Sequence, residues 1–414
     1  MPRRSRVFLA ASALLICTIP SVANAGDLQE FTLVERGRYL AVLSDCASCH
    51  TVPGSNQPFA GGRPIETPFG NIVAPNITPD PETGIGSWSD EQFDAAIRKG
   101  LRDDGSHLYP AMPYNAYTKM SHDDVLAIRA YLSTVTPVRN AVIANMLPFP
   151  FNIRAAMRVW NALYFTEGDF RPDPKQSAEW NRGAYLVDGP GHCGACHTPK
   201  TFLGGDKIAQ YLEGAYLQGW SAPDITNDAR LGLGKWSKDD LIFYLKSGHN
   251  RVTAATGPMG EVVTLSTAHM KDPDLEAIAT YLKSLRGKTN GGAPLPASDP
   301  AMVAGTAIFR DQCSACHGLD GKGVAELFPS IADSSMVRSN DPTTSIRIVL
   351  RGARSVGTSA QPTASGMPSY GRQLDDSEVA AVLTYIRNSW GAAGDPIESE
   401  QVSKVRRDTA LRPD

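Results

Sequence analysis

The stretch Cys46-Ala47-Ser48-Cys49-His50 decides how this chain is read, because it returns as Cys193-Gly194-Ala195-Cys196-His197 and again as Cys313-Ser314-Ala315-Cys316-His317. With seven Cys and eight His in 414 residues, three such pentapeptides are not a coincidence. Two thiols three residues apart can each form a thioether to one porphyrin edge, and the histidine that follows reaches the iron from one face. Cys-x-x-Cys-His is therefore the attachment signature of c-type haem. A redox dithiol needs no histidine next in line and no threefold repetition. Structural zinc needs four ligands where each site offers three. The reading is three covalently attached haem c groups on Cys46, Cys49, Cys193, Cys196, Cys313 and Cys316, with His50, His197 and His317 on the irons.

Working outward, the sequence around the first motif recurs around the second. Arg36-Gly37-Arg38-Tyr39-Leu40 matches Arg182-Gly183-Ala184-Tyr185-Leu186, Ala74-Pro75-Asn76-Ile77-Thr78 matches Ala222-Pro223-Asp224-Ile225-Thr226, and Trp88 and Trp236 each lie 14 residues after the Ala. Helical patterns close the units at Asp124 to Val135, Asp274 to Leu285 and Glu378 to Trp390, with apolar residues at three and four spacing. Middle helices are expected at Asp90 to Lys99, Lys238 to Lys246 and Thr344 to Arg351. Gly37, Gly183 and Gly305 in the entering helices would let Tyr131, Tyr281 and Tyr385 approach closely, which would repay the helix cost of glycine.

The same repeat points to a sixth iron ligand. His50 to Met112 is 62 residues, His197 to Met259 is 62, and His317 to Met367 is 50. Each methionine is flanked by proline and expected in a loop between the middle and closing helices. A lone loop methionine is more often a gap filler, but three in matching places argue for ligation. A thioether is a soft, neutral ligand that raises the potential of a His-ligated haem, and neighbouring proline stiffens the loop that holds it. Met120, Met270 and Met336 lack that context and are read as packing residues. His107, His122, His192, His249 and His269 are weaker ligand candidates. Trp88 and Trp236 are expected to pack each core, with donation of the indole N–H to a haem propionate as the sharper alternative.

The fold class implied is mainly α, three tandem class I cytochrome c domains: residues 26–140, 179–287 and 301–392. A packed connector (141–178) joins the first two. A Gly/Pro-rich linker (288–300) precedes the third, which is expected to sit more loosely. Residues 393–414 form a polar tail whose end, ESEQVSKVRRDTALRPD, shows no apolar face. Arg3, Arg4 and Arg6 before the apolar run Val7 to Ile19, followed by Ala23-Asn24-Ala25, predict a signal peptide over 1–25, hence a periplasmic protein. The run is too short for a retained membrane span. A formal charge of -3 gives no footprint for nucleic acid.

With these motifs in place, the chain resembles the three-haem cytochrome c subunits of bacterial membrane-associated alcohol, gluconate, fructose and sorbitol dehydrogenases. The likeness is most specific in GGRPIETPFGNIVAPNITPDPETGIGSWSDEQF (61–93), SHLYPAMPYNAYTKM (106–120) and HCGACHTPK (192–200). The resemblance implies an electron relay and no catalytic residue of its own. The partner would be a flavin-, quinone- or molybdenum-dependent dehydrogenase subunit, and the acceptor ubiquinone or a terminal oxidase, with peripheral attachment to the periplasmic face of the membrane. Two rival readings are a haem enzyme such as a peroxidase, in which one iron, most naturally that facing Met259, keeps an open position, and a cytochrome subunit fixed to a terminal oxidase.

Overall fold

The computed structural model describes residues 25–288, 292–324 and 327–410, so the expected signal peptide, its last residue apart, lies outside the described residues. The chain is mainly α, built three times on one plan. In the first unit α1 (Ala25–Leu43) turns through Asp45, in the left-handed region, into α2 (Cys46–His50). A hairpin of β1 (Pro64–Thr67) and β2 (Gly70–Val73) follows, then α3 (Asp90–Lys99), α4 (Tyr114–Tyr117) and α5 (His122–Leu132). A 3-10 turn and α6 (Met157–Tyr164) form the connector.

The second unit comprises α7 (Ala178–Asp188), α8 (Gly194–His197), the hairpin β3 (Ala215–Leu217) and β4 (Trp220–Ala222), then α9 (Lys238–Ser247), α10 (Gly257–Leu265) and α11 (Asp272–Ser284). The third comprises α12 (Pro300–Ile308), α13 (Ser314–His317), α14 (Ser335–Arg338), α15 (Thr343–Arg351), the short pair β5 (Ala353–Arg354) and β6 (Gly366–Met367), α16 (Asp376–Arg387) and α17 (Ser399–Thr409). The middle helices start where the local chemistry says they should: Ser89 with Gln92, and Ser237 with Asp240, each close a capping box.

In each unit the entering helix crosses the closing helix at its glycine. A Cβ on Gly37 would stand 1.7 Å from the Ala127 carbonyl oxygen and 3.0 Å from Tyr131 Cβ. At Gly183 the corresponding distances are 1.9 Å to Ala277 O and 2.9 Å to Tyr281 Cβ, and at Gly305 they are 2.2 Å to Ala381 O and 2.6 Å to Tyr385 Cβ. No side chain fits there, so glycine is what lets the two backbones touch.

The first two units share one continuous hydrophobic core, in which Leu40, Leu43 and Val125 are joined to Leu186, Leu275 and Leu282. The third has its own core around Phe309, Ile346, Val379 and Leu383.

Two expectations change here. Met259 lies not in a loop but in the first turn of α10, where Pro258 suits the helix start. The tail does have an apolar face: residues 399–409 form α17, whose Val402 and Val405 are buried in the third core, while Arg407 stays outward and Arg406 pairs with Asp376 and the Leu374 carbonyl. The spacing of those two valines, three apart in a run of charges, is too sparse to read as a stripe until α15 and α16 are there to receive it. The third unit, whose core is its own, docks on the second. Thr344 Oγ1 accepts from Ser221 N at 2.7 Å and donates to Ser221 O at 3.1 Å, and the Arg347 guanidinium lies 4.3 Å from the centroid of the Trp220 ring.

Candidate haem-binding sites

Each Cys-x-x-Cys-His run forms a short helical turn, which brings both sulfurs and the histidine to one side. All six cysteines are free. Burial pushes the Cys46 and Cys193 thiols up to about 12 and the Cys313 thiol up to about 11, so without a porphyrin they would be neutral thiols. Burial likewise takes Cys196 to about 11, with Lys200 opposing and Cys49 and Asp45 reinforcing from across the seam between the first two units.

The histidines are oriented by a motif whose role the sequence did not disclose. His50 Nδ1 bonds the Pro75 carbonyl at 2.8 Å and His197 Nδ1 bonds the Pro223 carbonyl at 2.7 Å. These prolines belong to the repeated Ala-Pro-Asn/Asp-Ile-Thr segment. A backbone acceptor on Nδ1 fixes the tautomer and leaves Nε2 bare for iron. Burial lowers the pKa of both rings and keeps them neutral, as ligation requires. In the third unit burial also lowers His317, with the Pro329 carbonyl nearby, but Nδ1 makes no well-formed hydrogen bond.

Met112 sits in a tight turn. Its N–H donates to Tyr109 O at 3.1 Å and its carbonyl accepts from Tyr114 N at 2.8 Å. Tyr114 is fully buried and its hydroxyl donates to Asn161 of α6 at 2.7 Å, so the connector braces the methionine segment. Met112 and Met259 lie partly buried against the shared core, and Met367, on β6, against the third. Met120 and Met270 are buried packing residues.

The remaining histidines have other engagements. His107 meets Asn161, His122 meets Asp94, His192 stacks on Tyr117, His249 packs edge-on against Phe243, and His269 bonds the Thr264 carbonyl.

The indole of Trp236 is buried, with no hydrogen-bond partner for Nε1 among the described residues. An orphaned buried donor in the core on which Cys193 also packs suits an anionic acceptor such as a propionate. Trp88, at the same place in the first repeat, is only half-buried, and its carbonyl accepts from Arg129. The neutral thiol pairs, the carbonyl-oriented imidazoles and the orphaned indole all fit a covalently held porphyrin.

Fold and sites together define a multi-domain c-type cytochrome. Comparison bears this out: residues 34–136, 181–286 and 302–390 each match the cytochrome c family, and the chain belongs to it, carrying three covalently bound haem c groups. The gluconate 2-dehydrogenase cytochrome c subunit of Pantoea cypripedii is 40% identical over 97% of this chain and 95% of its own length. The cytochrome c subunit of the quinone alcohol dehydrogenase of Komagataeibacter europaeus is 38% identical over 98% of this chain and 91% of its own. A nicotinate dehydrogenase chain of Pseudomonas putida is 41% identical over 93% of this chain, which there matches 33% of a longer protein. The chain is thus a cytochrome c subunit of the dehydrogenase-complex type, which implies electron transfer with a dehydrogenase as partner.

Proposed function

We propose that the chain is a periplasmic relay with three six-coordinate haems, ligated by His50 and Met112, His197 and Met259, and His317 and Met367. It would take electrons from a flavin-, quinone- or molybdenum-dependent subunit that oxidises an alcohol, sugar, sugar acid or aldehyde, and pass them to ubiquinone or a terminal oxidase. The observation that carries the reading is the recurrence, in every unit, of a histidine-bearing attachment turn and of a methionine lying partly buried against that unit's core. Bound haem supplies one-electron chemistry at iron. The protein's part is to orient the imidazole through Pro75 and Pro223, to brace Met112 through Tyr109 and Tyr114, and to keep water from the buried faces. Rigid ligands on both faces suit electron transfer because little has to move when the charge changes. No helix among the described residues is long and apolar enough to cross a membrane, so attachment is proposed as peripheral.

The test is a reduced-minus-oxidised spectrum of the whole holoprotein with haem counted per chain, read for the far-red sulfur-to-iron band and for carbon monoxide uptake. Three haems, the sulfur band and slow carbon monoxide binding are expected. Ready uptake by the native reduced protein would favour a haem enzyme with an open iron. Substrate-dependent reduction by a co-purified dehydrogenase then identifies the donor.

A further inference from the structure

Two polar bridges cross the seam between the first two units, and they share a plan. Arg63 donates to the Ser48 carbonyl inside the first attachment turn. The same guanidinium pairs with Glu261, Nη2 to Oε2 at 2.9 Å, two residues past Met259. On the other side Lys200 donates to the Gly194 carbonyl of the second turn at 3.1 Å and pairs with Asp206. The second oxygen of Asp206 accepts from Asn115 Nδ2 at 2.9 Å, three residues past Met112. Each attachment turn is thus held, through one cation and one carboxylate, by the segment carrying the other unit's methionine.

The backbones follow suit: α10 packs on α2, and Tyr117 of α4 stacks on His192, beside Cys193, with ring centroids 5.4 Å apart. The third turn is arranged differently. The Gln312 carbonyl beside Cys313 accepts from Tyr370 O–H at 2.9 Å, and Tyr370 is three residues past its own unit's Met367. What is internal to the third unit is exchanged between the first two.

We propose that Arg63, Glu261, Lys200, Asp206 and Asn115 are positioning residues that make the first and second haems a coupled redox pair, leaving the third to titrate alone. The side chains of Arg63 and Glu261 are 25% and 32% exposed and those of Lys200 and Asp206 29% and 15%, so water screens these charges only in part. A negative charge shared by one haem's attachment turn and the other's methionine segment stabilises oxidised iron in both, and a positive charge does the reverse. A contact that was only mechanical would not give opposite signs for the two members of one ion pair.

The inference rests on the relay reading and is tested apart from it, by spectroelectrochemical titration of the full-length holoprotein with mediators and no dehydrogenase, midpoints being assigned by resolved paramagnetic resonance signals. Glu261→Gln should raise, and Arg63→Gln lower, the potentials of both the first and second haems, with the third unchanged. The expected size approaches a tenfold change in the one-electron equilibrium, about 59 mV. Asp206→Asn, on the other bridge, should also raise both. Shifts of the same sign from Glu261→Gln and Arg63→Gln, a shift confined to one haem, or no shift would each overturn the coupled pair. Failure of the wild type to accept electrons from a dehydrogenase would instead count against the relay.

Discussion

The first two units and the third carry the same three-helix frame, the same glycine crossing and the same attachment turn, yet they associate in opposite ways. Between units one and two the packing is reciprocal. Tyr39 of α1 donates to Asp274 of α11 at 2.7 Å, where Arg182 also binds, and Tyr185 of α7 donates to Asp124 of α5, where Arg36 binds at 2.6 Å. In the third unit the places of Arg36 and Tyr39 are taken by Ala304 and Ala307, so the exchange has no third member. That unit has its own core and docks on the second mainly through polar contacts, with Val356 lodged against Gly248 and Gly260: Thr344 on Ser221, Ser330 N on Arg251 O at 2.9 Å, Arg230 on the Ala393 carbonyl at 2.8 Å, and Arg347 over Trp220. Loss of two side chains from one helix face separates a fused pair of domains from a docked one.

The glycine crossings test the contrast most severely. Gly183→Leu forces a side chain against the Ala277 carbonyl and should cost about 3 kcal/mol or more, unfolding units one and two together because their core is common. Gly305→Leu should lower only the transition of the third unit. Calorimetry of the holoprotein resolves the two; a single transition moved equally by both would abolish the distinction.

Val402→Asp places a charge in the third core and should cost about 3 kcal/mol, again in the third unit's transition alone. An unchanged melt would mean that α17 is an ornament to that core.

Asp274 sharpens the comparison through pH. Burial pushes its carboxyl up, but the hydrogen bonds from Arg182 and Tyr39 outweigh burial and hold it below the usual carboxylate value. Its ionised form therefore stabilises the seam above about pH 3.9, and that stabilisation fades as pH falls through the lowered folded value. Asp274→Asn should cost about 2 kcal/mol at neutral pH and flatten the acid dependence of the first transition. Unfolding at pH 6 and pH 3 checks both.

Arg347→Ala should have a smaller effect, about 1 kcal/mol, read as increased proteolysis near the junction of the second and third units with all three haems retained. The smallest change is expected from Trp236→Phe, a modest shift in the second haem's potential with the third untouched; an unmoved potential would remove the propionate role.

Much of this is legible in the sequence. The attachment turns and capping boxes are local, and repetition exposes the glycine crossings and the methionine spacing. The Ala-Pro-Asn/Asp-Ile-Thr repeat is visible without its meaning, because a carbonyl acceptor about 25 residues from a histidine has no side-chain signature. Met259 reads as a loop residue because Gly-Pro-Met-Gly looks like a breaker, whereas proline at a first helical position starts α10. Val402 and Val405 make too thin a stripe to mark a packed helix.

By itself the sequence determined what is covalent and what is periodic: three Cys-x-x-Cys-His attachments, three helical frames and a methionine at a matching place in each. Only the tertiary structure decided which units share a core, and that the methionine segments of the first two are tied to each other's attachment turns. The reason is physical. Thioether chemistry and helix periodicity act over a few residues, while Arg63 and Glu261 are 198 positions apart and Tyr39 and Asp274 235 apart, contacts that exist only once two units have folded and met.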